Sequence, residues 1–206
     1  MTDFIALQTA IIKGKRDDVK AIVNAALEAK EDINALLDKG MIPAMREIGE
    51  RFSRNEAYVP ELLIAARAMQ AGLAIIEPEL AKSGRKSLGK IAIGTVKGDL
   101  HDIGKNLVAI MLKGAGYDVI DLGVNCDIAK FEDGVKQGAQ IIACSSLLTT
   151  TMAYMKDIVT HFKDQGVKVI IGGAPVTKAF AEEIGANGFS DDANGAVKLV
   201  DGFLKA

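Results

Sequence analysis

One histidine sits two residues beyond a carboxylate in the stretch Lys97-Gly98-Asp99-Leu100-His101-Asp102-Ile103-Gly104-Lys105-Asn106. An imidazole holds a metal through one ring nitrogen most firmly when a carboxylate engages the other, which fixes the tautomer and raises ligand basicity. Asp99 is spaced to supply that carboxylate to His101. The same residues also read as a plain helix start, with Asp102 as its cap, Gly104 as a packing contact and His101 as an exposed loop residue. Two phosphate-binding readings fail. Gly94, Gly98 and Gly104 do not fit G-x-G-x-x-G, and no Gly-Lys-Ser/Thr closes a P-loop.

Two further stretches carry unusual residues. Cys144-Ser145-Ser146-Leu147-Leu148-Thr149-Thr150-Thr151 holds five hydroxyls, more than one helix cap requires, although capping is the default for such residues. Gly172-Gly173-Ala174-Pro175 pairs two glycines, which either make a tight turn or let a ligand approach backbone where a Cβ would clash. The two cysteines, Cys126 and Cys144, match no zinc-ligand spacing and read as small buried residues. His161 is the only other histidine, which argues against a function that needs a clustered histidine metal site.

These stretches must be positioned by regular elements. Up to about residue 80 the chain is helical in period. Val19, Ile22, Val23, Ala26 and Leu27 share one face behind Asp17 and Asp18, which suit a helix N-terminus. Met41, Met45, Ile48 and Phe52 form a second stripe, and Pro60 fits the first turn of a helix continued by Leu62, Leu63, Ala66 and Met69. Four or five helices in a small bundle follow. The polar stretch Ser83–Gly89 reads as a linker. Beyond it, strands over 90–96, 117–122, 140–144, 168–171 and 188–190 alternate with helices, one of them from about Asp102 to Lys113. That alternation predicts a doubly wound five-stranded parallel sheet of the flavodoxin-like or Rossmann-like kind. Such sheets bind ligands at the carboxyl ends of their strands. The histidine, hydroxyl and Gly-Gly stretches are all loops at that edge, and their coincidence outweighs any one of them.

Asp99-x-His101-x-x-Gly104, then Ser145-x-Leu147 about 41 residues on, then Gly172-Gly173 about 27 further, resembles the signature of cobalamin-binding domains of the methionine synthase type. Upstream, Glu50 to Leu62 is similar to the helical cap of that family. The resemblance implies a helical cap domain over 1–86 and an α/β cobalamin-binding domain over 87–206. The set of modules is most similar to the free-standing corrinoid proteins of methanol, methylamine, betaine and aryl-ether methyltransferase systems.

The resemblance also implies roles. His101 would be the cobalt's lower ligand, replacing the cofactor's own dimethylbenzimidazole, and Asp99 the carboxylate bonded to its ring. The family's third relay position, a serine, falls on Thr151. Gly98, Asp102, Ile103, Gly104 and Thr149 complete the cofactor-binding loops. Ser145 and Leu147 would lie near the buried benzimidazole, and Gly172 and Gly173 would line the slot for the nucleotide tail. Phe52 and Val59 match apolar residues that shield the methyl group, and they equally suit a bundle core.

The implied function is a methyl carrier that is not a complete enzyme. Co(I) accepts a methyl group from a substrate-specific methyltransferase, and methyl-Co(III) yields it to a second methyltransferase using tetrahydrofolate or a thiol, with a reductive activase as a further partner. A mutase small subunit, a cobalamin-dependent sensor and a flavodoxin-like domain without corrinoid are the alternatives. Net charge near −2, 49% hydrophobic residues and no basic block argue against a nucleic-acid partner. No signal peptide and no long apolar stretch are read, so the expectation is a cytoplasmic protein without a membrane partner.

Overall fold

A computed structural model describes residues 2–82 and 87–205, so residues 83–86 of the linker stretch lie outside the described residues. The chain divides into two compact units, Met1–Lys86 with Gly114–Gly116, and Ser87–Lys113 with Tyr117–Ala206.

In the helical unit, the Asp3 carboxylate caps α1 (Phe4–Ile12) by accepting from the N–H groups of Ile5 and Ala6. α2 (Arg16–Glu28) carries Asp17 and Asp18 in its first turn and buries Val19, Val23 and Ala26, whereas Ile22 and Leu27 are half-buried. A short α3 (Ile33–Ala35) runs through a π-helical turn (Leu36–Met41) into α4 (Ile42–Ser53). The apolar stripe holds for Met41, Met45 and Ile48, while Phe52 is half-buried. The longest helix, α5 (Val59–Lys82), has Pro60 in its first turn and buries Leu62, Ala65, Ala66, Met69 and Ile76. Each fully buried large side chain contributes about 1.5–3 kcal/mol of transfer free energy. Within Val59–Leu80 an 18-residue window has a mean hydropathy of 1.5, so by length and composition the helix is apolar enough to cross a membrane. That corrects the sequence reading of no such stretch. In this fold α5 supplies a large part of the bundle's core.

The second unit alternates strands and helices. They are β1 (Lys90–Thr95), α6 (Ile103–Gly114), β2 (Asp118–Asp121), α7 (Ile128–Lys136), β3 (Ile141–Ser145), α8 (Thr149–Phe162), β4 (Lys168–Gly172), α9 (Lys178–Ile184), β5 (Gly188–Ser190) and α10 (Ala193–Leu204). All strands pair in parallel, in the order β2-β1-β3-β4-β5. The central strands read as unbroken apolar runs because both faces are covered, and β1 and β3 are buried almost throughout. Phe131, Ile142, Met155, Ile158, Phe162 and Ile171 form much of the core on one side, with Cys126 and Cys144 buried among them as free thiols. Burial in this apolar setting pushes both thiols up from their ordinary range.

From β1 the chain first winds outward to β2 and then returns to place β3 on the other side of β1. That reversal makes β1 and β3 the switch point of the sheet, the place at whose carboxyl edge doubly wound folds take their ligands.

Candidate functional site

The loop after β1 holds a buried carboxylate. Asp99 is fully buried, yet each of its oxygens is well supplied with donors. Oδ1 accepts from the His101 backbone N–H at 3.0 Å and lies 2.7 Å from His101 Nδ1. Oδ2 accepts from the Leu147 N–H at 2.7 Å, and the Ser146 and Thr151 hydroxyl oxygens each lie 3.2 Å from it and 2.8 Å from one another, so that when one hydroxyl donates to the other, only the second donates to Asp99. Burial by itself would push this carboxyl up. The bonds from the His101 and Leu147 amides, the imidazole and the Thr151 hydroxyl outweigh it and hold Asp99 well below the usual carboxylate range.

An ionised carboxylate only accepts, so Nδ1 of His101 carries the proton of the 2.7 Å bond. When the ring is neutral, Nε2 therefore presents its lone pair. The His101 side chain is 52% exposed, and Nε2 has no partner among the described residues. The loop's course is set by Thr95, whose buried hydroxyl donates to the His101 carbonyl at 2.8 Å. It is also set by Gly98, whose φ of +84° suits glycine and whose missing Cβ leaves room for the Thr151 methyl.

The hydroxyl loop does not act as a helix cap. Leu148 stands at the N-cap of α8 without a side-chain bond, while Ser146 and Thr151 turn inward and bond each other at 2.8 Å. Ser145 ends β3, and its carbonyl accepts from Val96 N–H; its hydroxyl is not in the cluster on Asp99. Thr149 begins α8, exposed and outside that cluster. The buried hydroxyl on Asp99 is that of Ser146, which the sequence reading did not select. The adjacent Ser145-Ser146 pair was the available signal, but which of the two faces inward depends on where β3 ends.

Gly172 and Gly173 close the edge. The Gly172 carbonyl accepts from Ser146 N–H at 3.2 Å, and a Cβ on Gly173 would stand 1.9 Å from the Ser146 carbonyl oxygen. Gly173 thus already accommodates the chain's own backbone. Of the helix-start reading, Gly104 as a packing contact fails, since nothing lies within 4 Å of a Cβ built there. Asp102 does stand directly before α6, its carbonyl accepting from Asn106 N–H at 2.8 Å and its carboxylate from the Asn106 side-chain amide at 3.0 Å. Leu100 and Ile103 flank the histidine at 72% and 78% exposed, and Leu147 and Leu148 are also exposed. Among the described residues, four of the eight exposed large apolar side chains therefore lie on or directly beside two loops joined through Asp99.

In the helical unit, Phe52 and Val59 are both half-buried, so neither is simply core. The turn between them is fixed by Arg54, which donates to both carboxylate oxygens of Glu56, and it exposes Tyr58.

Two B12 binding domain families match the chain, one over residues 89–198 and the other over residues 6–77. A corrinoid protein of Desulfitobacterium hafniense (strain Y51) is 39% identical over 206 residues, covering 96% of this chain and 95% of that protein. The trimethylamine corrinoid protein of Methanosarcina barkeri is 44% identical over 190 residues, covering 89% and 88%. Among solved structures, the methanol:cobalamin methyltransferase complex MtaBC from Methanosarcina barkeri superposes with a TM-score of 0.87 at 26% identity, over 98% of this chain and 80% of that one. With both units matched and the relatives of similar length, the chain belongs to the cobalamin-binding corrinoid proteins of methyltransferase systems.

Proposed function

We propose that the protein carries methyl groups between two methyltransferases, with His101 as the protein ligand to cobalamin's cobalt. The observation that carries this reading is the half-exposed imidazole whose Nδ1 is locked to a buried, ionised Asp99, with the exposed Leu100 and Ile103 close by in the same stretch of chain. That setting suits a broad, largely apolar group with a metal at its centre, and the open space at Gly104 leaves room for close approach. Bound cobalamin supplies a cobalt that takes up a methyl group and gives it up again.

The chain's own residues hold and tune. Asp99 holds the Nδ1–H tautomer, which would leave the Nε2 lone pair free for the metal. Ser146, Leu147 N–H and Thr151 keep Asp99 ionised throughout. Leu100, Ile103, Gly98, Asp102 and Gly104 form the surface beside the histidine, with Leu147 and Thr149 across from it. Ser145, Gly172 and Gly173 would receive the nucleotide tail, and Phe52 and Val59 would shield the methyl group.

A methyltransferase partner is consistent with the methyltransferase complex among the similar structures. The donor enzyme acts on a methylated amine, a class supported by the 44% identity to a trimethylamine corrinoid protein. The second enzyme would use tetrahydrofolate or a thiol, and a reductive activase would be the further partner. The reading is tested with His101→Ala reconstituted with methylcobalamin. The variant should bind the corrinoid yet show an absorption spectrum without imidazole ligation. A spectrum identical to the parent's overturns the assignment.

A further inference from the structure

Lys105, in the first turn of α6, is only 3% exposed. Its ammonium donates to Asp121 Oδ1 at 2.6 Å, to Asp121 Oδ2 at 2.7 Å and to Asn106 Oδ1 at 2.6 Å. Only the lysine of this pair is buried, the Asp121 side chain being 41% exposed, so solvent screens the attraction while the ammonium still bears its desolvation, and the pair is a poor source of stability. Its geometry is what distinguishes it. Asp121 ends β2, and its Oδ1 also accepts from Gly123 N–H at 2.9 Å, so the lysine fixes the start of the loop that follows.

That loop grips the histidine loop directly. Asn125 N–H donates to the Asp99 carbonyl at 3.0 Å, and Asn125 Oδ1 accepts from Gly98 N–H at 2.8 Å. The Gly123 carbonyl and Cys126 N–H both bond Thr95, the residue whose hydroxyl holds the His101 carbonyl. Asn125 adopts φ +51°, a left-handed conformation that asparagine tolerates better than most residues. The side chain of Asp99 is thus held from the hydroxyl loop, and its backbone from the opposite side.

We infer that Lys105 and Asn125 are positioning residues for His101, acting through the 121–126 loop to keep Gly98 and Asp99 where the imidazole can bond the buried carboxylate. The functional meaning rests on His101 as cobalt ligand, but the positioning itself is measurable without cobalt.

The test uses the full-length apoprotein with ring-labelled histidine, in which only His101 and His161 contribute. The two ring nitrogen shifts of His101 give its ratio of Nδ1–H to Nε2–H tautomers, with His161 as an internal reference. Asn125→Gly keeps the left-handed backbone and removes only the acceptor for Gly98. It should lower that ratio about fivefold, the usual effect of one lost hydrogen bond. Asn125→Asp, which returns an acceptor, should restore it, and Lys105→Met should lower it as Asn125→Gly does. An unchanged ratio in both Asn125→Gly and Lys105→Met overturns the inference, whatever their melting temperatures. Reconstitution of the same variants with methylcobalamin separates the two readings. If parent and His101→Ala give one spectrum, the ligand assignment fails, while the tautomer ratios still decide the positioning role.

Discussion

A Cβ on Gly173 would stand 1.9 Å from the carbonyl oxygen of Ser146, and Gly173 adopts φ +130°. The close approach carries the Gly-Gly turn against the loop that presents the Ser146 hydroxyl and Leu147 N–H to Asp99. Gly173→Ala is therefore expected to destabilise the apoprotein by about 2–3 kcal/mol through strain and collision. Gly104→Ala makes the contrast. It meets no atom and lies in a helix, so it should leave the apoprotein as stable or up to about 1 kcal/mol more stable, yet weaken cobalamin uptake. Urea unfolding of the two apoproteins, with cobalamin titrations beside it, checks both arms.

Asp99 links stability to pH with a definite sign. Its carboxyl titrates lower in the fold than in the unfolded chain, so the native state favours the ionised form. The stability it adds is complete above the ordinary aspartate range and drains away as pH falls below about 4 toward the depressed value. Asp99→Asn leaves donors unmatched and should cost about 1–3 kcal/mol near neutrality. The gap between variant and parent should narrow in unfolding measured at about pH 3. A gap that does not change with pH would contradict the ionised assignment.

Ser146 and Thr151 share one acceptor, so their hydroxyls are not equivalent to two independent bonds. Thr151→Ser keeps the hydroxyl and should be near neutral in stability and in imidazole ligation. Thr151→Val keeps the bulk and loses the donor, with an expected cost of about 1 kcal/mol. Ser146→Ala should match it, and the double variant should cost less than the sum because the partners are coupled. A double-mutant cycle on melting and on the reconstituted spectrum measures this.

Phe52 separates shielding from packing. A half-buried phenylalanine contributes less than a fully buried one, so Phe52→Ala should cost about 1–2 kcal/mol against the roughly 3–5 kcal/mol of a core position. Protein reconstituted with methylcobalamin should then photolyse faster than the parent by more than that loss of stability explains. Equal photolysis rates in the two proteins would return Phe52 to a packing role.

Much of the architecture was legible because periodicity is local. The strands from Lys90 to Ser190 announced themselves as short apolar runs, and each lies within a few residues of where the pattern put it. The helical stripe Met41, Met45 and Ile48 was equally plain. Less legible was α5, whose apolar residues were read as one face although Val59–Leu80 is apolar enough in total to span a bilayer. Hydropathy sums composition, whereas burial depends on which neighbours arrive.

By itself the sequence determined the family, the loop order His, Ser/Thr, Gly-Gly, and the pairing of Asp99 with His101, because two residues of one loop need only local geometry to meet. Tertiary structure alone decided which hydroxyl serves Asp99. Ser146 lies 47 residues from Asp99 and Thr151 lies 52, and the choice of Ser146 over Ser145 turns on the register in which β3 pairs with β1. It also decided that Gly173 first accommodates backbone, that Gly104 faces open space, and that Lys105 and Asn125 stand behind the histidine loop. In a parallel sheet, shifting a strand by one residue exchanges which side chain points inward. No spacing along the chain records that shift, so the identity of the buried hydroxyl became visible only once β3 was seated between β1 and β4.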